Sequence, residues 1–525
     1  MSHPEIYSPS FLARLISMFS GLGGLVAKVL GLSVLNGITV WCIIVLFIQN
    51  RVTWAVGTLA VLLILDYVYI RPNRFLPAKF MIPGSVLLIC YLIVPIFFTI
   101  VTAFQEYSTG HVLSKSEAIQ TNIEQNLIQG DRFFQMTPAR DSAGQLVLVL
   151  VDDLTGEAYL GTRKGLEEIN SAELRTDEYG AIVPPPELSA ITGPELFSND
   201  SEIADFVVPL DDGGEIRTEG VSGAYDARPG LIYDPATDAL VAVDTGIQYR
   251  DDGRGSFVSS SGETLNVGWR EFIGFENFTA VVTNPLVRRP FLRAFAWTIG
   301  FAGSTVGLSF AIGLLLAKIM DKPALRTRKV YRSLLVVPYA IPGFLSLLIF
   351  RGLLNDDYGL INKILPFDPP WLFDPWWARL SVILVSVWLT TPYFMLVCMG
   401  ALQAIPQELV EAARVDGAGR WQVFRSVTLP LLLTVVTPLL IASFAYNFNN
   451  FNNIFLLTGG GPSTENDVVA GSTDILISYT YKLAFESGKG QDYGLASAIS
   501  IYIFFVVAAM SAGGFLRSKA MENMR

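Results

Sequence analysis

Eight mostly apolar stretches, each about the length of a membrane-crossing helix, dominate the chain: 33–50, 53–70, 82–104, 291–319, 331–353, 377–402, 430–456 and 491–516. A spanning helix needs about 20 such residues to cover roughly 30 Å of hydrocarbon. Between the third and fourth stretches the pattern changes. There, Gly, Pro and Asp turns separate short alternating runs (Gln145 to Val151, Gly156 to Gly161, Leu240 to Tyr249) with the two-residue period of strands. The pattern predicts a polytopic α-helical membrane protein of about eight transmembrane helices with an inserted extracytoplasmic α/β domain. Its segments are an N-terminal amphipathic, cytoplasmic piece (1–32), spans one to three (33–105), a soluble domain (106–288) and a membrane core (289–525) carrying the last five spans and a polar loop at 403–430. Residues 1–30, with Arg14 and Lys28 among aliphatics, are expected to lie on the membrane surface. No cleavable signal peptide is expected, because no short apolar core is followed by a small-residue cleavage site.

Composition agrees with this division. The 525 residues are 51% hydrophobic and 16% charged, against about 25% charged in soluble domains. The net charge of −10 is unevenly placed: residues 106–276 hold 31 of the 47 acids and 11 of the 37 basic residues, so the remainder is basic. No basic stripe interleaved with aromatics supports a nucleic-acid partner. Cys42, Cys90 and Cys398 all lie in apolar runs and are expected to pack against lipid or neighbouring helices. With only His3 and His111, a histidine-based metal or catalytic site is not expected.

Positive charge in short loops stays cytoplasmic. Arg71, Arg74 and Lys79 follow the second span, and Lys318, Lys322, Arg326, Arg328 and Lys329 follow the fourth. Arg414, Arg420 and Arg425 lie in the polar loop, and Arg517, Lys519 and Arg525 follow the last span. The opposite side carries Asp356, Asp357, Asp368 and Asp374, with Lys363 opposing them. Both termini inside, and the acidic domain outside, satisfy all of these loops. Asp66, near Arg71, reads as interfacial and receives no role.

In the polar loop, a short helix bearing Glu408, Glu411, Ala412 and Ala413 can enter a groove closely, and Asp416-Gly417-Ala418-Gly419 turns the chain, since glycine tolerates left-handed dihedrals. Pro430 opens the next span, where its missing N–H costs least. A generic helix-turn-helix would serve as a bland alternative. The full spacing is E-A-A (Glu411, Ala412, Ala413), three residues ending in Asp416, Gly417, nine residues, Val427, one residue, then Leu429-Pro430. This resembles the signature loop of ABC-importer permeases, which docks into a separate ATPase. The chain has no G-x-x-x-x-G-K-[ST] phosphate loop of its own; Gly488-Lys489-Gly490 lacks the upstream glycine, the following Ser/Thr and a preceding strand. Energy is therefore expected from a partner, and the chain is not expected to be an enzyme.

Polar residues inside spans are costly and usually functional. Ser443, Tyr446/Asn447 and Asn450 recur at i, i+3/i+4 and i+7 of the seventh span, one helical face, and Ser386, Leu389/Thr390 and Tyr393 repeat that spacing in the sixth. In the fifth, Tyr339 lies one turn from Gly343, amid Pro338 and Pro342, which loosen a helix. Amides and hydroxyls beside tyrosine rings suit a sugar, while the absence of an acid or base on these faces argues against a charged cargo. The alternative is that the asparagines join helix to helix through hydrogen bonds, and both roles can hold together.

Further segments, Val337 to Pro342, Ala442 to Phe451 and Gly490 to Ala496, together with the layout of eight spans and an external domain after the third, resemble the larger permease subunit of the maltose importer (MalF type). The resemblance implies the ABC type I importer permease fold in a bacterial inner membrane. It implies a smaller permease partner (MalG type), two copies of an ATPase (MalK type) that holds ATP-Mg, no cofactor in this chain, and a periplasmic sugar-binding protein delivering maltose or a maltodextrin. It places the sugar at Tyr339, Leu389, Tyr393, Ser443, Asn447 and Asn450, and alternating access as the mechanism. Four positions depart from the family pattern: Gly343 stands for serine, Ser386 for asparagine, Thr390 for glycine and Tyr446 for phenylalanine. A related α-glucoside or another oligosaccharide is the alternative cargo. A ligand-sensing receptor would not need the coupling loop or the asparagine-rich faces, and a membrane glycosyltransferase would need more than Asp356/Asp357.

Overall fold

Helices are forced wherever the chain meets hydrocarbon, because no water is there to satisfy a free backbone amide. The structure is a computed structural model describing residues 21–70, 75–171, 174–176, 182–211, 213–321, 327–464, 467–486 and 491–523. Arg71, Arg74, Lys322, Arg326, Gly488 to Gly490, Arg525 and residues 1–20 lie outside the described residues, as do the side chains of Arg517 and Lys519. Among the described residues, seven helices are long and apolar enough to cross a membrane, or eight if one bent pair counts as a single span.

The chain divides into two compact units at Phe98/Thr99. The first contains α1 (Gly21–Ile48), α2 (Val52–Ile70) and most of α3 (Leu76–Thr102), which has a π turn at Ile89–Ile93. Helix α1 starts at Gly21, so residues 21–32 continue the first span; they are not the separate surface segment expected from their charges. Asn36 Nδ2 donates to Asp66 Oδ2 at 3.0 Å and ties α1 to α2. That bond gives Asp66 a helix-joining contact, where the sequence assigned it no role. Cys42 is half-buried and Cys90 exposed on this unit.

In the second unit the inserted region is rich in sheet. An eight-stranded antiparallel sheet uses β2 (Leu127–Arg140), β3 (Leu146–Asp152), β4 (Ala158–Thr162), β5 (Gly165–Ile169), β6 (Ser189–Ala190), β7 (Val207–Pro209), β8 (Glu215–Glu219) and β9 (Gly223–Pro229), in the order β5-β4-β3-β2-β9-β8-β7 with β6 on β2. Leu146, Leu148 and Leu150 join the main apolar cluster with Phe134, Phe206 and Ile216. Val147 and Val149 on the other face of β3 are also buried. The run from Gln145 is thus a strand, as its pattern predicted, and is covered on both sides. A smaller sheet, β10 (Leu231–Asp234), β11 (Ala239–Ala242), β12 (Gln248–Asp251) and β13 (Phe257–Ser259), packs with α4 (Lys115–Gln125) around Trp269 and Phe257. Leu240 to Tyr249 is a hairpin, turned at Gly246 with φ of 67°, and not one strand.

The domain's entry strand β1 (Gln105–Glu106) pairs with its exit strand β14 (Glu271–Phe272), making a two-stranded neck. The neck is stitched to the start of the last span. Thr109 N donates to Gln491 O at 3.0 Å, and the amides of Tyr493 and Gly494 both reach Tyr107 O, at 2.9 and 3.0 Å. Asn277, on α5 (Glu276–Thr283), donates to the carbonyls of Ala103 and Gln105 at 3.1 and 2.9 Å.

Beyond the inserted domain, the longer helices and the short ones that matter for the site are α6 (Pro285–Met320), α7 (Arg328–Ala340), α8 (Gly343–Leu353), α9 (Pro375–Gln403), α10 (Gln407–Val415), α11 (Arg420–Phe448), α12 (Phe451–Leu457), α13 (Leu476–Phe485) and α14 (Tyr493–Asn523). The 36-residue α6 is about 54 Å long, well beyond the hydrocarbon thickness. Its most extensive partner is α9. Ala294, Thr298, Ala302, Thr305, Ser309, Gly313 and Ala317 are buried along α6 at intervals of three to four, a face of small residues that lets backbones approach. The fifth span breaks: α7 and α8 meet at 90°. Pro342 disfavours the α region for the residue before it, and Ile341 accordingly has φ −81° and ψ 133°.

Two measurements check these points. A Cβ on Gly313 would come 2.8 Å from both Met395 N and Phe394 Cβ; Gly313→Ala is expected to cost about 1–3 kcal/mol by overpacking, seen as a lower unfolding temperature in detergent. At the neck, burial followed by the nearby Asp492 raises the Glu106 pKa above 4.5, and burial raises that of Asp492 above 3.8. The folded neck therefore binds protons more tightly than the unfolded chain, so this stabilisation is complete below those ordinary values and is lost as pH rises through the elevated ones. Hydrogen exchange at the Thr109 and Tyr493 amides should quicken over that window, and less steeply in Asp492→Asn, which keeps the cap on Leu495 N.

Candidate functional site

The predicted site residues fall on α7, α8, α9 and α11 and at the start of α12, and their local structure decides which can act together. Helix α11 ends at Phe448; Asn449 and Asn450 leave it, and α12 begins anew at Phe451. The i+7 step from Ser443 to Asn450 is thereby broken, correcting the single continuous face. Asn450 instead caps α12, its side chain accepting from Asn453 N at 3.3 Å. Tyr446 and Asn447 also diverge. Tyr446 is 70% exposed, whereas Asn447 is buried and donates to Ser443 O at 2.9 Å. Asn447 Oδ1 is buried too, with no hydrogen-bond partner among the described residues. An amide oxygen withdrawn from water without a donor costs about 1–3 kcal/mol, which a ligand hydroxyl would relieve.

On α9, Ser386 is buried and its Oγ accepts from Asn453 Nδ2 at 2.9 Å. Ser386 is thus committed to joining α9 to α12. Asn453, left out of the predicted sugar-contacting set, is the residue that makes this joint. The signal that could have found it is the capping spacing, Asn450 three residues before Asn453. Leu389 is half-buried against the apolar cluster of Phe301, Leu347 and Val385. Thr390 and Tyr393 are half-buried beside it, and the Tyr393 ring meets Phe394 edge-on at 5.2 Å. Tyr339, 58% exposed, ends α7 at the 90° break, and a Cβ on Gly343 would meet open space. The structure links α9 to α12 directly. Two apolar cavities of about 390 and 410 Å³ include none of these residues; Asn449 and Thr480 line the first, Gly303 and Phe444 the second.

The loop of Glu411 to Pro430 is built from local rules. Helix α10 stops because Gly417 takes φ of 85°, closing a Schellman motif: Gly417 N donates to Arg414 O and Ala418 N to Ala413 O, both at 3.0 Å. Glu411, Ala412 and Asp416 are exposed, with Ala413 half-buried. So are three apolar side chains, Leu409, Val415 (86%) and Trp421. The loop's far end is anchored. A π turn at Phe424–Thr428 precedes Leu429 and Pro430, where proline supplies no N–H for the helical register. Phe424 and Leu429 pack against the cluster of Leu314, Ala317, Cys398 and Leu432, and Lys318 Nζ lies 3.6 Å from the Phe424 ring centre.

Residues 309–520 match the binding-protein-dependent transport system inner membrane component, and residues 86–164 match the N-terminal of the TM subunit in PBP-dependent ABC transporters. The chain is 37% identical over 488 residues, 90% of its length and 91% of the relative's, to the maltose/maltodextrin transport system permease protein MalF of Escherichia coli. It is 36% identical over 492 residues, with 90% and 92% covered, to the protein of that name in Salmonella typhi. Among solved structures, a bacterial ABC transporter involved in the import of the acidic polysaccharide alginate superposes with a TM-score of 0.41 and 24% identity, covering 47% of this chain and 84% of that one.

Nothing lies within 4 Å of a Cβ on Gly417, so substitution there is resisted by backbone strain alone. Gly417→Ala is expected to destabilise the end of α10 by about 1–2 kcal/mol, and Gly417→Asn by less, since asparagine visits the left-handed region. Faster hydrogen exchange at the Ala418 amide in the alanine variant checks this.

Proposed function

The chain belongs to the MalF family of binding-protein-dependent transport permeases, and on that footing we propose that it carries maltose or a maltodextrin across the inner membrane while ATP is hydrolysed in separate subunits. The observation that carries the coupling half of this reading is the exposed helix α10, locked at its end by Gly417 and rooted by Phe424 and Leu429 in the membrane helices. A short rigid helix displaying Val415 and Leu409 is built to sit in another protein's groove. A push on it reaches α6, α9 and α11 together. The full assembly in this reading adds a second permease of the MalG type, two ATPases of the MalK type and a periplasmic binding protein.

The sugar site in this reading is the polar set on α7–α9 and α11–α12: Tyr339, Gly343, Leu389, Thr390, Tyr393, Ser443, Tyr446, Asn447 and Asn450. Asn447 Oδ1, buried without a donor, is the acceptor a sugar hydroxyl would fill. Ser386 acts at one remove, through Asn453. Ser386 is occupied by Asn453 and Gly343 offers no side chain, while Thr390 and Tyr446 add hydroxyls, so the hydrogen-bonding groups are rearranged relative to the family pattern, which favours an α-glucoside other than maltose as the second reading. The protein acts without covalent chemistry: ATP-driven closure of the ATPases moves α10, the spans open outward to accept sugar, and hydrolysis returns them. The breaks at Ile341–Pro342 and Asn449–Asn450 are the bending points.

The test is sugar-stimulated ATP hydrolysis and uptake in the reconstituted complex with its binding protein. Maltose is expected to stimulate the unaltered complex, Gly417→Asp to abolish coupling or assembly, and Asn447→Ala to lower uptake by about ten-fold or more while sparing hydrolysis. Stimulation by another α-glucoside and not by maltose would replace the cargo; indifference to every sugar and to Gly417→Asp would end the transport reading. The topology is checked separately, after replacing the native cysteines. A cysteine at Leu154, 80% exposed on the sheet domain, should react with an impermeant maleimide from outside, and one at Val415 only after permeabilisation.

A further inference from the structure

An unbroken run of aromatic rings connects the neck of the inserted domain to the short helix that carries Asn450's cap and Asn453. It begins at Arg270, beside the exit strand, whose guanidinium lies 5.2 Å from the Tyr107 ring centre. Tyr107 meets Tyr493 at 5.0 Å, Tyr493 meets Phe485 at 6.0 Å, and Phe485 meets Tyr481 at 5.1 Å. Tyr481 then meets both Phe451 and Phe455 of α12, at 5.0 and 5.6 Å, and these two stack at 4.9 Å. All of these spacings lie within the range of favourable ring pairs. Four separate elements are crossed: neck, α14, α13 and α12.

Both ends of the run are held firmly. At the neck, Tyr107 O accepts from two amides of α14. At the other end, Asn453 of α12 donates to Ser386 of α9, and Asn450 caps α12 at the break after α11. Helix α13 itself is pinned by the Lys482–Asp474 pair at 2.7 Å, in which the Asp474 carboxylate is fully buried and also accepts from Ser478 Oγ and Gly471 N. A tilt of the neck that moves Tyr493 must therefore be taken up by α13 and passed to Phe451.

We infer that Tyr481, with Phe485 and Tyr493, is a positioning residue: it sets the pose of α12, and so of Asn450 and Ser386, according to how the inserted domain is held. The inference rests on the transport reading above and adds a route by which engagement of the external domain prepares the sugar site. The side chain that does this is a ring of the right size between Phe485 and the Phe451/Phe455 pair; its hydroxyl is not needed.

The test uses the complete complex in proteoliposomes with binding protein and maltose. Tyr481→Leu is expected to lower loaded-binding-protein stimulation of ATP hydrolysis about ten-fold, leaving unstimulated hydrolysis and subunit recovery unchanged. Tyr481→Phe should restore stimulation. Phe485→Leu, at a 53% exposed position where folding tolerates the change, should reproduce the loss. Tyr107→Leu combined with Tyr481→Leu should be no worse than the weaker single variant, because both interrupt one route. Normal stimulation in Tyr481→Leu and Phe485→Leu, or losses that multiply in the double variant, overturns the inference and leaves the transport reading intact. A loss that Tyr481→Phe does not restore, or an equal fall in unstimulated hydrolysis in both leucine variants, also overturns it. An unaltered complex that maltose does not stimulate refutes maltose transport, and this inference with it.

Discussion

The close approach of α6 and α9 is the contact on which the membrane core depends. Lipid chains are as apolar as leucine, so helices in a bilayer gain little from hiding apolar surface and must gain from packing. The face from Ala294 to Ala317 supplies that packing, and Gly313 lies against Phe394 and Met395 with no room for a methyl group. Two apolar clusters extend from this seam. One gathers Phe301, Leu347, Val385 and Ile454; the other gathers Leu314, Cys398, Leu432 and, at its edge, Phe424. The first reaches the polar break between α11 and α12, the second reaches the exposed loop. One seam thus underlies both the polar break and the exposed loop.

Polar side chains in this core work mostly as joints. Ser386–Asn453, Asn450 on α12 and Trp297 Nε1 donating to Thr473 O at 3.1 Å each close a gap between elements. Where helices break, the freed backbone groups must be met by protein, since lipid cannot meet them. Asn447 Oδ1, like Thr305 Oγ1, Ser346 Oγ and Ser472 Oγ, is buried without a hydrogen-bond partner among the described residues. At its neck, the inserted domain joins the core through paired strands and shared amides at Tyr107.

What the sequence determined by itself was whatever depends on neighbours along the chain. The spans were legible because hydrocarbon thickness sets a length of apolar run, and Gly417 was legible because a helix ending in left-handed backbone needs glycine. The kink at Pro342 followed from one ring clashing with the residue before it. Partners far apart in sequence stayed hidden. Nothing in the run from Ser443 to Asn450 says that α11 stops at Phe448, so periodicity drew one face where there are two elements. Nothing near Ser386 names Asn453, 67 residues on. The alternation around Leu148 could not reveal that β3 is covered on both faces, because burial depends on what β2 and β4 bring beside it. The tertiary structure alone decided which polar groups are already satisfied and which, like Asn447 Oδ1, still await a donor. A hydrogen bond is fixed by position in space, and only the folded chain brings those positions together.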